Sequence, residues 1–217
     1  MATRDPGFGR LLTSLWAVAT AAVVAALWAT MVPAHAAPAN DIIVPTDTYN
    51  ELCTVSSICA TDNSDVWYYM DSVGDYEVEA AGVNAMTSAM EAWGTATDVT
   101  VGYDTTPKFS GEAETDVVWR QRFFSDDTLG VTYCVDRVND TRHRCDSHYI
   151  EATPLVGWKQ EVLRHEVGHA LGLVHGPQAA PLRTKCAPVM AIMRAHLGCI
   201  DSSALGAIPK NNVDWVY

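Results

Sequence analysis

Apolar residues recur every three to four positions in two long stretches of the chain. The first stretch runs from about Tyr76 to Trp93 and is followed by Gly94. The second contains an apolar stripe of four residues, Leu163, Val167, Ala170 and Leu171. This spacing is typical of amphipathic helices, because residues three and four apart lie on one helix face. Thr153 and Pro154 form a helix-start signal, so we expect the second helix to open there.

Five shorter segments are rich in β-branched and aromatic residues and are separated by turn residues. They predict strands at Val66–Met70, Val99–Tyr103, Thr115–Phe123, Leu129–Arg137 and Ser147–Ala152. The last residues, Pro209 to Tyr217, return to a rough helical phase. The order of elements, a strand, a helix, four strands and two helices, predicts one α+β domain.

His165, His169 and His175 have the spacing expected of ligands to one metal ion. On a helix, His165 and His169 project from the same face about one turn apart. Gly172 can adopt the left-handed conformation that ends a helix, and this turn would return His175 toward the other two histidines. Three histidines with an open fourth position are typical of a catalytic zinc site. Glu166 lies beside them and would accept a proton from the zinc-bound water.

The HExxHxxGxxH pattern from His165 to His175 resembles that of the metzincin clan of zinc endopeptidases. Members of this clan carry a methionine turn beneath the zinc, and the chain offers two candidates for it. Met190 follows a Pro-Val pair and matches the turn better, and Met193 is the alternative. Within the clan, the chain is most similar to matrixin-like secreted bacterial metalloproteases.

The resemblance covers residues 64–217, which follow an N-terminal mature segment of residues 37–63. It implies a metzincin-like zincin fold: a twisted, mostly parallel five-stranded sheet, an active-site helix, and a small C-terminal subdomain that ends in a helix. It also implies a secreted zinc-dependent endopeptidase in which Glu166 activates the zinc-bound water. The peptide substrate would bind extended along the strand near Leu129 to Cys134.

The same residues are also compatible with a second function. A secreted zinc-binding protein could use a metzincin fold for recognition or adhesion without turnover. Glu166 favours the enzyme, because a binding module needs no carboxylate at that position.

The first 36 residues have the features of a signal peptide. Arg4 and Arg10 precede the uncharged segment Leu11–Val32, and Ala34-His35-Ala36 is a small-x-small cleavage site. We therefore expect a secreted, extracellular protein that has no membrane partner once this segment is cleaved. The alternative is a protein anchored by the uncleaved segment, which is long enough to span a bilayer.

Charge and cysteine content fit an exported protein. The 14 Lys and Arg residues against 26 Asp and Glu residues give a net charge of −12, which argues against nucleic acid as a partner. We expect a monomer that binds a protein or peptide substrate.

An even number of cysteines in an exported chain implies disulfides. Their grouping favours bridges between neighbours: Cys53 with Cys59, Cys134 with Cys145, and Cys186 with Cys199.

The acidic residues from Asp62 to Glu79 suggest a second metal as an alternative. They could bind a structural Ca²⁺, but their spacing matches no EF-hand loop. A solvated acidic face is the favoured interpretation.

Overall fold

A six-stranded sheet lies at the centre of the part of the chain that the structure, a computed structural model, describes: residues 38–46, 53–111, 113–138 and 144–217. Its strands are β1 (Ala60–Thr61), β2 (Asp65–Met70), β3 (Thr100–Tyr103), β4 (Val117–Gln121), β5 (Gly130–Arg137) and β6 (Arg144–Ala152). Strands along the order β1-β6-β4-β2-β3 are paired in parallel, and β5 pairs antiparallel with β6. The fold is α+β with a mostly parallel sheet.

The sheet has one strand more than the five predicted. All five predicted strands are present, and their ends shift by about one to three residues. The additional strand, β1, pairs with Arg144 and Cys145 at the start of β6. Two residues are too short to give an alternating pattern, so the sequence carries no signal for this strand.

Three α-helices flank the sheet in the described residues: α1 (Ala80–Ala96), α2 (Gln160–Ala170) and α3 (Ala207–Val216). Trp93 of α1 is fully buried, and its Nε1–H donates a 2.9 Å hydrogen bond to the Arg164 carbonyl of α2. Gly94 lies inside α1 and does not end it. A Cβ at Gly94 would lie 2.6 Å from a methyl carbon of Val101, so glycine here permits close packing of α1 on β3.

The predicted start of the histidine-bearing helix is wrong. Thr153 does act as an N-cap, but of a separate 3₁₀ helix at Pro154–Val156. Gly157 ends that turn in the left-handed conformation, with φ of 76°, and α2 begins only at Gln160. Thr153 and Pro154 do start a helix, but this helix is the 3₁₀ turn and not α2.

The described residues before β2 pack onto the core of the same unit, residues 37–217. Ile42 is fully buried, and its N–H donates to Asn212 Oδ1 on α3 at 2.9 Å. The Val44 N–H donates to the Gly172 carbonyl at 2.9 Å, just after α2. Residues 37–63, expected as a segment preceding the domain, thus contribute core residues and strand β1 to it. The proposed signal peptide, residues 1–36, lies outside the described residues.

Three disulfides join neighbours in sequence, as the grouping of the cysteines favours: Cys53–Cys59, Cys134–Cys145 and Cys186–Cys199. The first two bridges are buried against each other, and Cys53 Sγ lies 3.8 Å from Cys134 Sγ. Each bridge is local, and the contact between them packs the segment before β1 against the β5–β6 hairpin. Within the described residues, no helix has both the length and the apolar character needed to cross a membrane.

Candidate metal centre

Helix α2 and the turn that follows it bring His165, His169 and His175 together. His165 and His169 lie on one face of α2, which ends at Ala170. Gly172 then takes a φ of 89°, in the left-handed region, and a Cβ there would lie 2.7 Å from the Ala60 Cβ. Glycine therefore allows both the turn and its close contact with β1. The turn carries the chain back so that His175 faces the two helical histidines.

The three imidazoles point the same nitrogen at a common centre. The Nε2 atoms of His165 and His175 are 3.0 Å apart, those of His165 and His169 are 3.0 Å apart, and those of His169 and His175 are 3.1 Å apart. An ion bound tetrahedrally at about 2.0–2.1 Å holds its nitrogen ligands about 3.3 Å apart. The arrangement is therefore close to what one small ion requires.

Backbone carbonyls determine which nitrogen is available in the two helical histidines. The Nδ1 of His165 lies 2.7 Å from the Ile192 carbonyl, and the Nδ1 of His169 lies 2.7 Å from the Leu173 carbonyl. A carbonyl oxygen can only accept, so each Nδ1 carries the hydrogen. Each Nε2 then presents a lone pair to the centre, and the carbonyl fixes the orientation of the ring.

The environment keeps the three histidines uncharged at neutral pH. Burial lowers the pKa of His165, and burial together with the neighbouring histidines places the pKa of His169 well below its ordinary value. Burial, followed by the repulsion that would arise if His165 and His175 were both protonated, lowers the pKa of His175 to about 3. Neutral imidazoles are the form that binds a metal, so the group could hold a metal ion.

Among the described residues, one further group brings three ligand atoms together: Cys53, Cys59 and Cys134. The first two are bonded to each other and the third to Cys145, so none offers a thiolate. The acidic residues between Asp62 and Glu79 are in neither group.

Glu166 lies beside the histidines and is held by strand β5. The Thr132 hydroxyl lies 2.8 Å from Glu166 Oε2 and 2.9 Å from its carbonyl oxygen. A Cβ at Gly130 would lie 2.8 Å from Glu166 Cγ, so the absence of a side chain at Gly130 makes room for the carboxylate. Burial raises the pKa of Glu166 to about 7, and the hydrogen bond from Thr132 acts in the opposite direction. A carboxyl group with this pKa can accept and return a proton near neutral pH.

Both candidate methionines are fully buried, but they occupy different positions. The Met193 sulfur lies 2.5 Å from the position that a Cβ on Gly168 would take, so Met193 packs against α2 between His165 and His169. Ala191, with a φ of 44°, kinks the chain between Met190 and Met193. This contact places Met193 against the helix that carries two of the histidines, and the assignment of the methionine turn to Met190, with Met193 as the alternative, stays a prediction.

The histidines and Glu166 line a cavity of about 950 Å³, and the start of β5 lines the same cavity. Leu129 O accepts from Thr153 N, toward β6, so the N–H and C=O groups of Gly130 and Thr132 point away from β6. Cys134 has the same orientation, but Ser56 and Ser57 bond to its backbone at 2.8 and 3.1 Å. The strand edge beside the cavity is therefore covered at Cys134, whereas Gly130 and Thr132 have no backbone partner on this side among the described residues.

Opposite charges lie at different parts of the cavity wall. Asp126 and Asp127 precede β5, whereas Arg194 and His196 follow Met193. The Arg194 guanidinium is mostly buried and bonds to the Cys199 carbonyl and, at 3.2 Å, to Asp201. Gly130 and Thr132 lie within the Leu129–Cys134 strand that was expected to bind the substrate, but their contact with Glu166 was not predicted. Asp126, Asp127, Arg194 and His196 were not predicted as site residues, because long-range packing alone brings them to the histidines.

Comparisons with known proteins add no assignment. No protein-family model matches the chain, and no curated protein matches it in sequence. Function is therefore inferred from the geometry and chemistry of the site.

Proposed function

We propose that this protein is a secreted zinc-dependent endopeptidase with a metzincin-like fold. One observation carries the proposal: three neutral histidines converge through Nε2 in the wall of a large cavity, and a buried carboxylate with a pKa of about 7 lies next to them. A structural site closes its metal with four protein ligands, whereas a catalytic site leaves one position open. Three ligands facing a cavity fit the second kind.

Zinc fits the donor set best. Three imidazoles and an open position form a common catalytic zinc site, and calcium or magnesium would require oxygen ligands. A zinc ion held by His165, His169 and His175 would lower the pKa of bound water toward about 7 and polarise the peptide carbonyl.

Glu166 performs the proton transfers in this proposal. It accepts a proton from the attacking water and then gives this proton to the leaving nitrogen of the cleaved peptide bond. Burial raises the pKa of this carboxyl and so favours its acceptance of the proton, whereas a bound zinc ion would favour release of the proton. Thr132 and Gly130 on β5 set the position of the carboxylate by direct contact with it.

The arrangement around the histidines supports a metzincin-like interpretation. The sheet carries one antiparallel strand, β5, at the cavity, and α2 ends in a glycine turn that returns the third histidine. The buried Met193 packs on α2 at Gly168. Three disulfides support export, since such bridges persist in oxidising compartments.

The substrate would bind as an additional extended strand on β5. Its main chain would pair with Gly130 and Thr132, whose N–H and C=O groups point outward, and would pass between β5 and the histidines. The part of β5 available for this pairing is shorter than the predicted Leu129–Cys134 range, because Ser56 and Ser57 cover Cys134.

Metal analysis combined with a peptide digest tests the proposal. The purified protein is expected to bind about one zinc per chain, to cleave peptides in a broad library, and to lose cleavage on chelation. Failure to bind zinc at pH 7.5 would overturn the site assignment. A zinc-loaded protein that cleaves nothing would instead support the recognition or adhesion function.

A further inference from the structure

A second, strongly acidic cavity lies away from the histidines and shares no lining residue with their cavity. Its volume is about 520 Å³, within the range of small-molecule sites. Six of its described lining residues are acidic: Asp62, Asp65, Asp104, Glu114, Asp116 and Asp146. No Lys or Arg is among the described residues that line it.

The sheet topology explains why these carboxylates meet. Asp65 opens β2, Asp116 directly precedes β4, and Asp146 lies near the start of β6. Strands β2, β4 and β6 are parallel neighbours, so their amino ends lie at one edge of the sheet. Asp116 Oδ2 accepts a 2.7 Å hydrogen bond from the Trp67 N–H, which fixes one carboxylate beside β2.

Glu114 is the observation that points to a ligand. The residue is only 7% exposed, and neither carboxylate oxygen receives a hydrogen bond of normal length and angle from the described residues, although the Gly111 backbone and the Asp136 carboxyl lie close enough to affect its pKa. A buried carboxylate without a partner is costly, so a native structure that keeps one is expected to supply a partner from beyond the described residues. The partner must be a donor or a cation, because an ionised carboxylate only accepts.

Burial and mutual repulsion disfavour the ionised form of the carboxyl groups in this cavity, and a bound cation would counteract both effects. Burial, followed by repulsion from Asp136 and Asp146, raises the pKa of Glu114. Burial and neighbouring carboxylates similarly raise the pKa of Asp146, and they raise that of Asp116 to about 7 despite the hydrogen bond from Trp67. A bound cation would oppose all three shifts.

The spacing of the carboxylates distinguishes between kinds of cation. A calcium ion needs six to eight oxygens at about 2.3–2.6 Å. In the described residues, no three acidic side chains bring ligand atoms within 4.8 Å of one another. A guanidinium group spreads five N–H donors across a planar fork and can bridge carboxylates that are farther apart.

Trp67 supplies a surface on which a planar cation can stack. It lines the cavity and is 51% exposed, while its ring packs over Gly102, where a Cβ would lie 2.6 Å from a ring carbon. Gly102 thus supports the ring from one side. Guanidinium groups stack on indole rings and gain cation–π attraction there.

We propose that this cavity binds a guanidinium group, which stacks on Trp67 and bonds to Glu114 and the neighbouring aspartates. The group belongs to a free small guanidinium compound or to an arginine side chain of a polypeptide. The proposal concerns a site separate from the histidines and does not depend on the proposed peptidase activity.

Calorimetric titration of the purified protein tests the site with four probes: agmatine, acetyl-Gly-Arg-Gly-amide, acetyl-Gly-Lys-Gly-amide and calcium chloride. We expect saturable binding of agmatine, of the arginine peptide, or of both, and at least about tenfold weaker binding of the lysine peptide. Tighter binding of the peptide identifies a polypeptide as the source, and tighter or equal binding of agmatine identifies a free compound. The proposal would be overturned if only calcium bound, if the lysine and arginine peptides bound equally well, or if no probe bound.

Matched variants locate the binding. Glu114→Gln should weaken binding by roughly tenfold or more, since hydrogen bonds to charged groups contribute about 1.5–3 kcal/mol. Trp67→Ala should weaken it several-fold. The exposed residues Glu77 and Trp215 provide controls, and Glu77→Gln and Trp215→Ala should bind as wild type does. Unchanged binding by a folded Glu114→Gln variant would place the probe elsewhere and contradict the proposal.

Discussion

Thr132 on β5 and Glu166 on α2 are joined side chain to side chain, with the Thr132 hydroxyl 2.8 Å from Glu166 Oε2. Both residues are buried, and the pair lies in the wall of the cavity that contains the three histidines. The carboxylate is thus positioned by the strand to which the substrate is proposed to bind. Strand β5 would then hold both the proton acceptor, Glu166, and the substrate backbone in fixed positions relative to each other.

Replacement of Thr132 tests whether its hydroxyl group positions the Glu166 carboxylate. Thr132→Val keeps the shape but removes the hydroxyl, so we expect kcat to fall by roughly tenfold or more while KM changes little, because the lost hydrogen bond holds a charged group. Thr132→Ser keeps the hydroxyl and should recover most of the activity. Steady-state kinetics on a fluorogenic peptide measure both. Equal kcat values for Thr132→Val and wild type would show that the hydroxyl does not position Glu166.

Asp116 should make stability depend on pH. Its pKa rises from 3.8 to about 7 on folding, so the folded state binds this proton more tightly than the unfolded state does. The stabilisation from this group is therefore complete below about pH 4 and is lost as the pH rises toward 7. Asp116→Asn, which can still accept from Trp67, should add little stability at low pH and at most about 4 kcal/mol at pH 8.

Urea unfolding at pH 5, 6.5 and 8 measures this difference between Asp116→Asn and wild type. Asp75→Asn, at an exposed position, serves as the control. A gain for Asp116→Asn that is constant over the pH range would argue against a raised pKa at Asp116.

The two buried disulfides should be coupled through the 3.8 Å contact between Cys53 and Cys134. In a Cys145→Ser variant, the free Cys134 thiolate can attack the Cys53–Cys59 bridge and release Cys59, so peptide mapping should find some Cys53–Cys134 linkage. The Cys134→Ser/Cys145→Ser double variant should keep Cys53–Cys59. It should lose about 2–3 kcal/mol of stability, or roughly 5–10 °C in Tm, and still bind zinc. Exclusive Cys53–Cys59 pairing in the single variant would show that the two bridges do not exchange.

The sequence predicted the elements whose signal is local. The helical phase around Leu163 and the spacing of His165, His169 and His175 are properties of adjacent residues, and the structure has both the helix and the converging histidines. The α1 stripe and the five strands follow from the same periodicities. The sixth strand was missed because two residues form no pattern, and the helix start was misplaced because Gly157 separates a 3₁₀ turn from α2.

Features that depend on tertiary packing could not be predicted. Thr132 is 34 positions from Glu166, and nothing about a threonine in a strand marks it as a carboxylate partner. Which of Met190 and Met193 forms the methionine turn depends on packing around the histidines, so the preference for Met190 over Met193 stays a prediction. Glu114 and Trp67 come together only because β2 and β4 are neighbours in the sheet.

Glu166→Gln provides the most direct test of the account. Gln keeps the size of Glu and can still bond to Thr132 but cannot accept a proton at neutral pH, and Glu166 is not among the three ligands. Zinc content and peptide hydrolysis are measured on the same preparations of wild type, Glu166→Gln and His169→Ala. We expect Glu166→Gln to retain about one zinc per chain and to lose at least about two orders of magnitude in kcat, whereas His169→Ala loses zinc and activity together. Hydrolysis by zinc-loaded Glu166→Gln at the wild-type rate would contradict the account.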